Sequence, residues 1–104
     1  MSTYVEYVTY NVDVVDDNFL ELRRKAILAI KANHPNLLEV PVFSHDSKGG
    51  CTEIWIYQSE KDAEAANVAG GSIPDFAAYA ELLSDLKIVA EEMPEASADP
   101  LRKA

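Results

Sequence analysis

The spacing of apolar residues changes at Ser59 from every second position to the 3.6-residue period of a helix. Residues 51–57 are rich in β-branched and aromatic side chains, a composition typical of strands. Ser59, followed three residues later by Asp62, resembles the hydrogen-bonded box that begins many helices. The pattern therefore predicts a strand that runs directly into a helix.

The same two periods predict the remaining elements. A helix begins at the acidic cluster before Asn18 and stops before Pro35, because the residue preceding a proline avoids helical geometry. A turn-rich segment of Gly, Ser and Asp joins the second and third strands as an antiparallel hairpin. Pro41 places the second strand at a sheet edge or in a bulge, since proline cannot donate to the strand ladder. The predicted strands are residues 3–12, 37–45, 51–57 and 86–93, and the predicted helices are residues 18–33, the segment after Ser59, and 74–83.

The order of elements is strand, helix, strand, strand, helix, strand, with the second helix in two segments. This order predicts an α+β, ferredoxin-like βαββαβ domain: a four-stranded antiparallel sheet with the helices on one face. The whole chain, residues 1–104, is predicted to be a single domain. Its core spans about residues 3–94, and residues 95–104 form a loose tail or an arm on a partner.

The strands carry apolar residues on both faces, although the helices can cover only one. A sheet face in contact with water would alternate between apolar and polar residues. A second copy of the sheet is the natural cover for the other face, so we predict a homodimer with a barrel-like core, a dimeric α+β barrel. In the first strand the apolar residues of one parity are Tyr4, Val8, Tyr10 and Val12, and those of the other are Val5 and Tyr7. In the third strand Trp55 and Tyr57 have one parity, and Ile54 and Ile56 have the other.

Charge and composition exclude several kinds of partner. The chain of 104 residues has 18 acidic and 9 basic residues, a net charge of −9, which repels nucleic acid and anionic membrane surfaces. A single cysteine, Cys51, cannot form an internal disulfide and reads as a small apolar filler. The N-terminus has no basic region or long apolar run, so we expect a cytoplasmic protein without a membrane segment.

The junction of the third strand and the second helix carries a family resemblance. Residues 57–63, Tyr-Gln-Ser-Glu-Lys-Asp-Ala, are similar to a Trp-x-Ser-x-x-Asp-Ala junction, with Tyr57 where tryptophan is common and Trp55 two residues earlier. A helical segment at 76–83 then leads into a short terminal strand. Over about residues 3–94 the chain resembles the dimeric α+β barrel superfamily, and within it the antibiotic-biosynthesis monooxygenase group.

The resemblance implies a ferredoxin-like protomer, a homodimer and a pocket between the sheet and its helices. The superfamily that the chain resembles includes cofactor-free oxygenases, haem-degrading enzymes, isomerases and proteins with no known activity. Haem-degrading members generally place a histidine ligand in the second helical region, and this chain has none between Ser59 and Leu83, so we expect no cofactor. The oxygenases hold a polyaromatic substrate with Asn, Trp, Tyr and Arg side chains. Arg23, Trp55 and Tyr57 match that set in type only, so the catalytic residues stay unassigned.

Arg23 is a candidate ligand-binding residue because it falls among the apolar residues of the first helix. A buried guanidinium is costly without an anionic partner, so Arg23 could bind a carboxylate or phenolate ligand. Alternatively, its stem lies along the apolar face while its head reaches Glu21, a strand glutamate or water. The sequence leaves both interpretations open.

The third strand supplies the other pocket candidates. Trp55 and Tyr57 share a face with Glu53, and Tyr10 and Glu6 lie near them if the first and third strands are adjacent. One interpretation is an aromatic-walled pocket with a carboxylate whose pKa is raised by burial. The other is the apolar lining of the dimer core, with glutamates at its mouth.

Three functions remain open at this stage. The first is a protein that binds a small aromatic or apolar molecule and acts as a cofactor-independent monooxygenase. The second is a non-catalytic stress-response or structural homodimer. The third is an isomerase of a small acid or lactone, with Arg23 as anchor and a glutamate such as Glu53 as base. A metal site is not expected, because His34 and His45 fall in separate loops without ligand spacing.

Overall fold

The computed structural model describes residues 3–93 and residue 101, so the predicted tail lies outside the described residues except for Leu101. The sheet is antiparallel with strand order β2-β3-β1-β4, which confirms the predicted ferredoxin-like α+β fold. The elements are β1 (Thr3–Asn11), α1 (Asp17–Asn33), β2 (Leu37–His45), β3 (Gly50–Tyr57), α2 (Glu60–Gly70), α3 (Pro74–Ala80) and β4 (Ser84–Met93).

Side-chain caps fix where the two longer helices begin. The Asp16 carboxylate accepts a hydrogen bond of 2.8 Å from the Phe19 amide, so Asp16 is the cap of α1. Ser59 caps α2: its hydroxyl accepts from the Asp62 amide and donates to the Asp62 carboxylate at 2.7 Å. The box predicted from Ser59 and Asp62 is therefore present.

Strand β2 lies at one edge of the sheet and is irregular. Its register against β3 shifts between Leu37 and Glu39 and again between Glu39 and Val42, around Pro41. Both alternatives predicted for a strand containing proline, an edge position and a bulge, are confirmed.

The segment between α3 and β4 differs from the prediction. Helix α3 ends at Ala80 rather than residue 83, and β4 begins at Ser84 rather than residue 86. The side-chain amide of Asn11 donates a hydrogen bond of 3.0 Å to the Asp85 carboxylate, and Asp85 has a left-handed backbone with φ of 53°. The register of β1 against β4 shifts between Thr9 and Asn11, so that Asn11 pairs with Ser84 and the strand begins two residues earlier than predicted.

All three helices pack on one face of the sheet. Strand pairing places Glu6 opposite Trp55 and Val8 opposite Glu53 on this face. Leu20 of α1 is exposed rather than packed on the sheet. The buried core cluster contains Val8, Tyr10, Val12, Phe19, Ala26, Ile30, Leu37, Cys51, Trp55, Tyr57, Ala63, Ala66 and Tyr79.

The other face of the sheet, here called the open face, carries a continuous apolar row. Val42 pairs with Ile54, Ile54 with Tyr7, and Tyr7 with Val89, so the row crosses all four strands. Tyr7, Val42 and Val89 are exposed in the single chain.

No helix within residues 3–93 has the length and apolarity needed to cross a membrane.

Candidate functional site

A buried carboxylate, Glu53, stands at the centre of the helix-facing side of the sheet. It is 1% exposed. The hydroxyls of Tyr10 and Tyr79 donate to its Oε2, and the Tyr79 oxygen lies 2.8 Å from that atom. The Trp55 indole donates to Oε1 at 2.7 Å. These neutral donors meet most of the hydrogen-bonding capacity that the carboxylate lost on leaving water.

Arg23 supplies the positive charge for Glu53. Its Nε lies 2.7 Å from Oε2, and the Arg23 side chain is 15% exposed. The guanidinium carbon lies 4.5 Å from the centre of the Phe43 ring, a cation–π contact. Arg23 therefore pairs with a strand glutamate, one of the partners allowed for its head group above, and it does not line the pocket described below.

The fold brings the members of this cluster together from four elements. Glu53 of β3 pairs with Val8 of β1, and Tyr10 lies two residues further along β1 on the same face. Helix α1 supplies Arg23, and α3 supplies Tyr79. Burial is the main cause that raises the pKa values of Tyr10 and Tyr79 far above the ordinary value, and the adjacent Glu53 raises them further. Both phenols therefore stay protonated and remain hydrogen-bond donors.

A mainly apolar pocket lies between the sheet and helices α2 and α3, next to this cluster. The pocket volume is about 80 Å³, and the empty space counted out to its open mouth is about 530 Å³. Of its lining residues, Leu86, Ile88 and Asn67 are exposed, so the pocket opens between β4 and α2. Its lining consists of Glu6, Val8, Ile30, Glu53, Trp55, Tyr57, Ala66, Asn67, Phe76, Tyr79, Ala80, Leu83, Leu86 and Ile88.

Glu6 is the second carboxylate on the pocket wall. It is 3% exposed, and its Oε2 accepts a hydrogen bond of 2.7 Å from the Asn67 side chain. Burial raises the pKa of Glu6, and the bond from Asn67 only partly opposes this shift. A carboxyl group with a raised pKa next to a cavity has the properties of a proton acceptor.

The sequence candidates divide into two groups. Glu6, Glu53, Trp55 and Tyr57 all line the pocket, whereas Tyr10 and Arg23 lie behind it and hold Glu53. The five strand residues among them face the helices, and Arg23 approaches from α1, so the cavity lies on the helix-covered face of the sheet and the other face is open. Burial raises the pKa of Tyr57, with a further contribution from Glu6.

Sequence reasoning did not select Tyr79, Phe76 or Asn67 as site residues. Phe76, Tyr79 and Leu83 have the spacing of one helix face, and this signal could have marked them as the roof of the pocket. Asn67 carries no such signal, because an exposed asparagine on a helix has no distinctive spacing. Within residues 3–93 and 101, no group of three or more His, Cys, Asp or Glu side chains could hold a metal ion.

Comparison by sequence gives no relative: no family model and no curated protein matches the chain. Comparison by structure finds solved proteins with a similar fold and low sequence identity. SnoaB, a cofactor-independent oxygenase from Streptomyces nogalater, has a TM-score of 0.67 and 11% identity over 96% of this chain and 99% of its own. A monooxygenase from the gene ActVA-Orf6 of Streptomyces coelicolor, in complex with nanaomycin D, has a TM-score of 0.65 and 18% identity over 93% of this chain and 91% of its own.

The chain has the fold of the antibiotic-biosynthesis monooxygenases. That fold does not by itself identify the reaction, because it also occurs in a protein of unknown function. A NIPSNAP family protein with unknown function from Agrobacterium tumefaciens shares it, with a TM-score of 0.63 and 16% identity over 92% of both chains. The monooxygenase fold is thus shown for this chain, while the reaction has to be argued from its own pocket.

Proposed function

We propose that this protein is a cofactor-independent monooxygenase that acts on a hydroxylated aromatic substrate. The observation that carries the proposal is the pocket itself, in which Trp55, Tyr57, Phe76 and Tyr79 surround a space bordered by the carboxyl group of Glu6. Aromatic walls suit a flat apolar ligand, and a few polar groups suffice to orient it. The shared fold with SnoaB and the ActVA-Orf6 monooxygenase supports this choice of reaction.

Glu6 is the residue proposed to accept a proton from the substrate. Glu53 is a poor base, because Arg23, Tyr10, Tyr79 and Trp55 already occupy its two oxygens. Removal of a proton by Glu6 leaves an electron-rich aromatic anion that reacts directly with oxygen. The overall change is R₂CH₂ + O₂ → R₂C=O + H₂O, in which the substrate loses four electrons and dioxygen gains them.

The pocket size limits the part of the substrate that is enclosed. A volume of about 80 Å³ is well below the roughly 300–1,000 Å³ of sites that bury a drug-sized ligand. One ring therefore fits between the aromatic walls. Further rings would extend through the mouth beside Leu86 and Ile88, which are exposed and apolar.

Oxygen uptake tests the proposal. Purified protein is incubated with a panel of hydroxylated anthrones, whose ring methylene is the reacting CH₂ group, and oxygen consumption and product are measured against the spontaneous reaction. Glu6→Gln should lower the rate for an active substrate by about 100-fold or more, because general-base catalysis contributes that much.

The control is Glu64→Gln, which removes the same charge from the exposed side of α2 and should leave the rate unchanged. Uptake no faster than the spontaneous rate with every compound would contradict the proposal and favour a non-catalytic dimer. The isomerase hypothesis needed Arg23 as an anchor in the pocket. The pairing of Arg23 with Glu53 outside the pocket speaks against that hypothesis.

The homodimer is likewise a proposal for this chain. The row formed by Val42, Ile54, Tyr7 and Val89 crosses the whole open face, and a face in contact with water would carry polar residues at these positions. The three described helices lie on the opposite face. We propose that a second copy covers the open face, with the two sheets packed against each other.

A further inference from the structure

The walls of the pocket carry negative charges and no positive ones among the described residues. Its lining includes two carboxylates, Glu6 and Glu53, and no lysine, arginine or histidine. The nearest cation that contacts the cluster, Arg23, approaches Glu53 from α1 and does not reach the cavity. A ligand that enters therefore meets acidic groups without a basic anchor.

The two carboxylates are not equivalent towards a ligand. Glu53 accepts hydrogen bonds from four side chains and is paired with a guanidinium, so its charge and its acceptor positions are already used. Glu6 has a single hydrogen bond from within the described residues, the one donated by Asn67. A carboxylate offers about four acceptor positions, so Glu6 keeps capacity for a donor on the ligand.

Asn67 holds Glu6 at the side of the cavity. Asn67 lies on α2 and Glu6 on β1, so their bond of 2.7 Å joins the roof of the pocket to its floor. This bond fixes the Oε2 atom of Glu6. Since the Asn67 side chain is itself near the mouth, the pair lies where an entering ligand would first meet a polar group.

We infer that the pocket selects a neutral ligand that donates a hydroxyl hydrogen, and that Glu6, positioned by Asn67, is the residue that makes this selection. The inference deepens the proposed function, on which it rests for the identity of the binding pocket. A phenol donates to Glu6 without bringing a second charge into the cavity. A carboxylate ligand would meet like charge and leave its own oxygens without donors.

An organic cation is the competing ligand class, because aromatic rings and acidic groups also attract cations. A hydroxyl donor is favoured here for a physical reason. Glu6 is 3% exposed and the rest of the pocket lining is mainly apolar, so a charged ligand must give up its hydration to reach it. A neutral hydroxyl loses little hydration on entering and finds an acceptor in Glu6, whereas an ammonium group would lose far more hydration.

Binding of three one-ring probes of matched shape tests the inference. The probes are p-cresol, which is neutral because a phenol has a pKa of about 10, 4-methylbenzoate and 4-methylbenzylamine. Trp55 is the only tryptophan in the chain and lines the pocket, so its indole N–H resonance reports occupancy in a titration at neutral pH. We expect p-cresol to bind at least about tenfold more tightly than either charged probe.

Two variants locate the selection. Glu6→Gln should weaken p-cresol binding and reduce its preference over 4-methylbenzoate by about tenfold, because the amide lacks the charge. Asn67→Ala, an exposed position that tolerates truncation, should weaken p-cresol binding while the discrimination against 4-methylbenzoate persists. Glu64→Gln, which makes the same change of charge outside the pocket, should leave the preference as in the wild type.

The inference is overturned if p-cresol does not perturb the Trp55 resonance, if either charged probe binds as tightly as p-cresol, or if Glu6→Gln leaves the preference intact. These outcomes are separable from failure of the proposed reaction. Selective binding without oxygen uptake leaves the inference standing and counts against the monooxygenase. Oxygen uptake without discrimination by charge supports the monooxygenase and counts against the inference about Glu6.

Discussion

At the scale of single residues, Glu53 is the most deeply buried charged residue among the described residues. A carboxylate that is 1% exposed would be strongly destabilising on its own, and here it is matched by one cation and three neutral donors. The cluster orients Trp55 and Tyr79, both of which line the pocket. The same interactions therefore stabilise the core and fix the pocket wall.

Arg23→Met should lower the free energy of unfolding by about 3 kcal/mol, because it leaves the buried charge of Glu53 without its cation. Urea denaturation followed by far-UV circular dichroism measures this change. The double variant with Glu53→Gln should recover part of the loss, since the remaining group is then uncharged.

The neighbouring arginine provides the control for that measurement. Arg24 pairs with Glu21 on the exposed side of α1, where water screens both groups. Arg24→Met should therefore give the same urea midpoint as the wild type. Equal losses for Arg23→Met and Arg24→Met would show that the pairing with Glu53 is not what stabilises the fold.

At the scale of elements, the β2–β3 connection depends on the backbone of one glycine. Gly49 has φ of 87°, and a Cβ atom there would lie 2.1 Å from the carbonyl oxygen of Val12. The Gly49 carbonyl also accepts a hydrogen bond of 2.9 Å from the Val12 amide. The hairpin is thereby tied to the end of β1, next to Tyr10 and Cys51.

Gly49→Ala should destabilise the protein by about 2 kcal/mol or more, because alanine resists this backbone conformation and its Cβ clashes with main-chain atoms. Thermal unfolding measures the effect. Gly71→Ala is the matched control: Gly71 has φ of −64°, and a Cβ there meets nothing within 4 Å. It should leave stability unchanged or raise it by about 0.4–1 kcal/mol. A similar loss in both variants would contradict the role assigned to Gly49.

At the scale of the whole molecule, the two faces of the sheet have different roles. The helix-covered face encloses the pocket and the Glu53 cluster, and the open face carries the apolar row. The pocket mouth beside Leu86 and Ile88 lies at the β4 edge, on the helix side. A second copy on the open face would thus leave the helix side of the sheet to the ligand.

Tyr7→Glu should convert the proposed dimer to a monomer at micromolar concentration, because it places a charge in the middle of the apolar row. Sedimentation velocity distinguishes the two states. Leu28→Glu, which changes an exposed leucine on α1, should leave the sedimentation coefficient unchanged. A wild-type protein that sediments as a stable monomer would contradict the dimer.

Most of the fold could be predicted because each element is encoded locally. The Ser59 cap, the bulge at Pro41 and the strand at residues 37–45 each follow from short stretches of sequence. The start of β4 could not, because Ser84 pairs with Asn11 of β1 and Asp85 accepts a hydrogen bond from the Asn11 side chain, 74 positions away in the chain.

The sequence by itself determined the order of elements, the acidic surface and the set of aromatic and acidic residues on β1 and β3, since periodicity and composition are local properties of the chain. Only the tertiary structure decided which of these residues meet. In the folded chain Arg23 pairs with Glu53 instead of lining the cavity, and Asn67 of α2 donates to Glu6. Tyr79 of α3 and Trp55 of β3 both donate to Glu53. Such pairings depend on helices crossing a sheet, and helix crossings leave no periodic signal in the sequence.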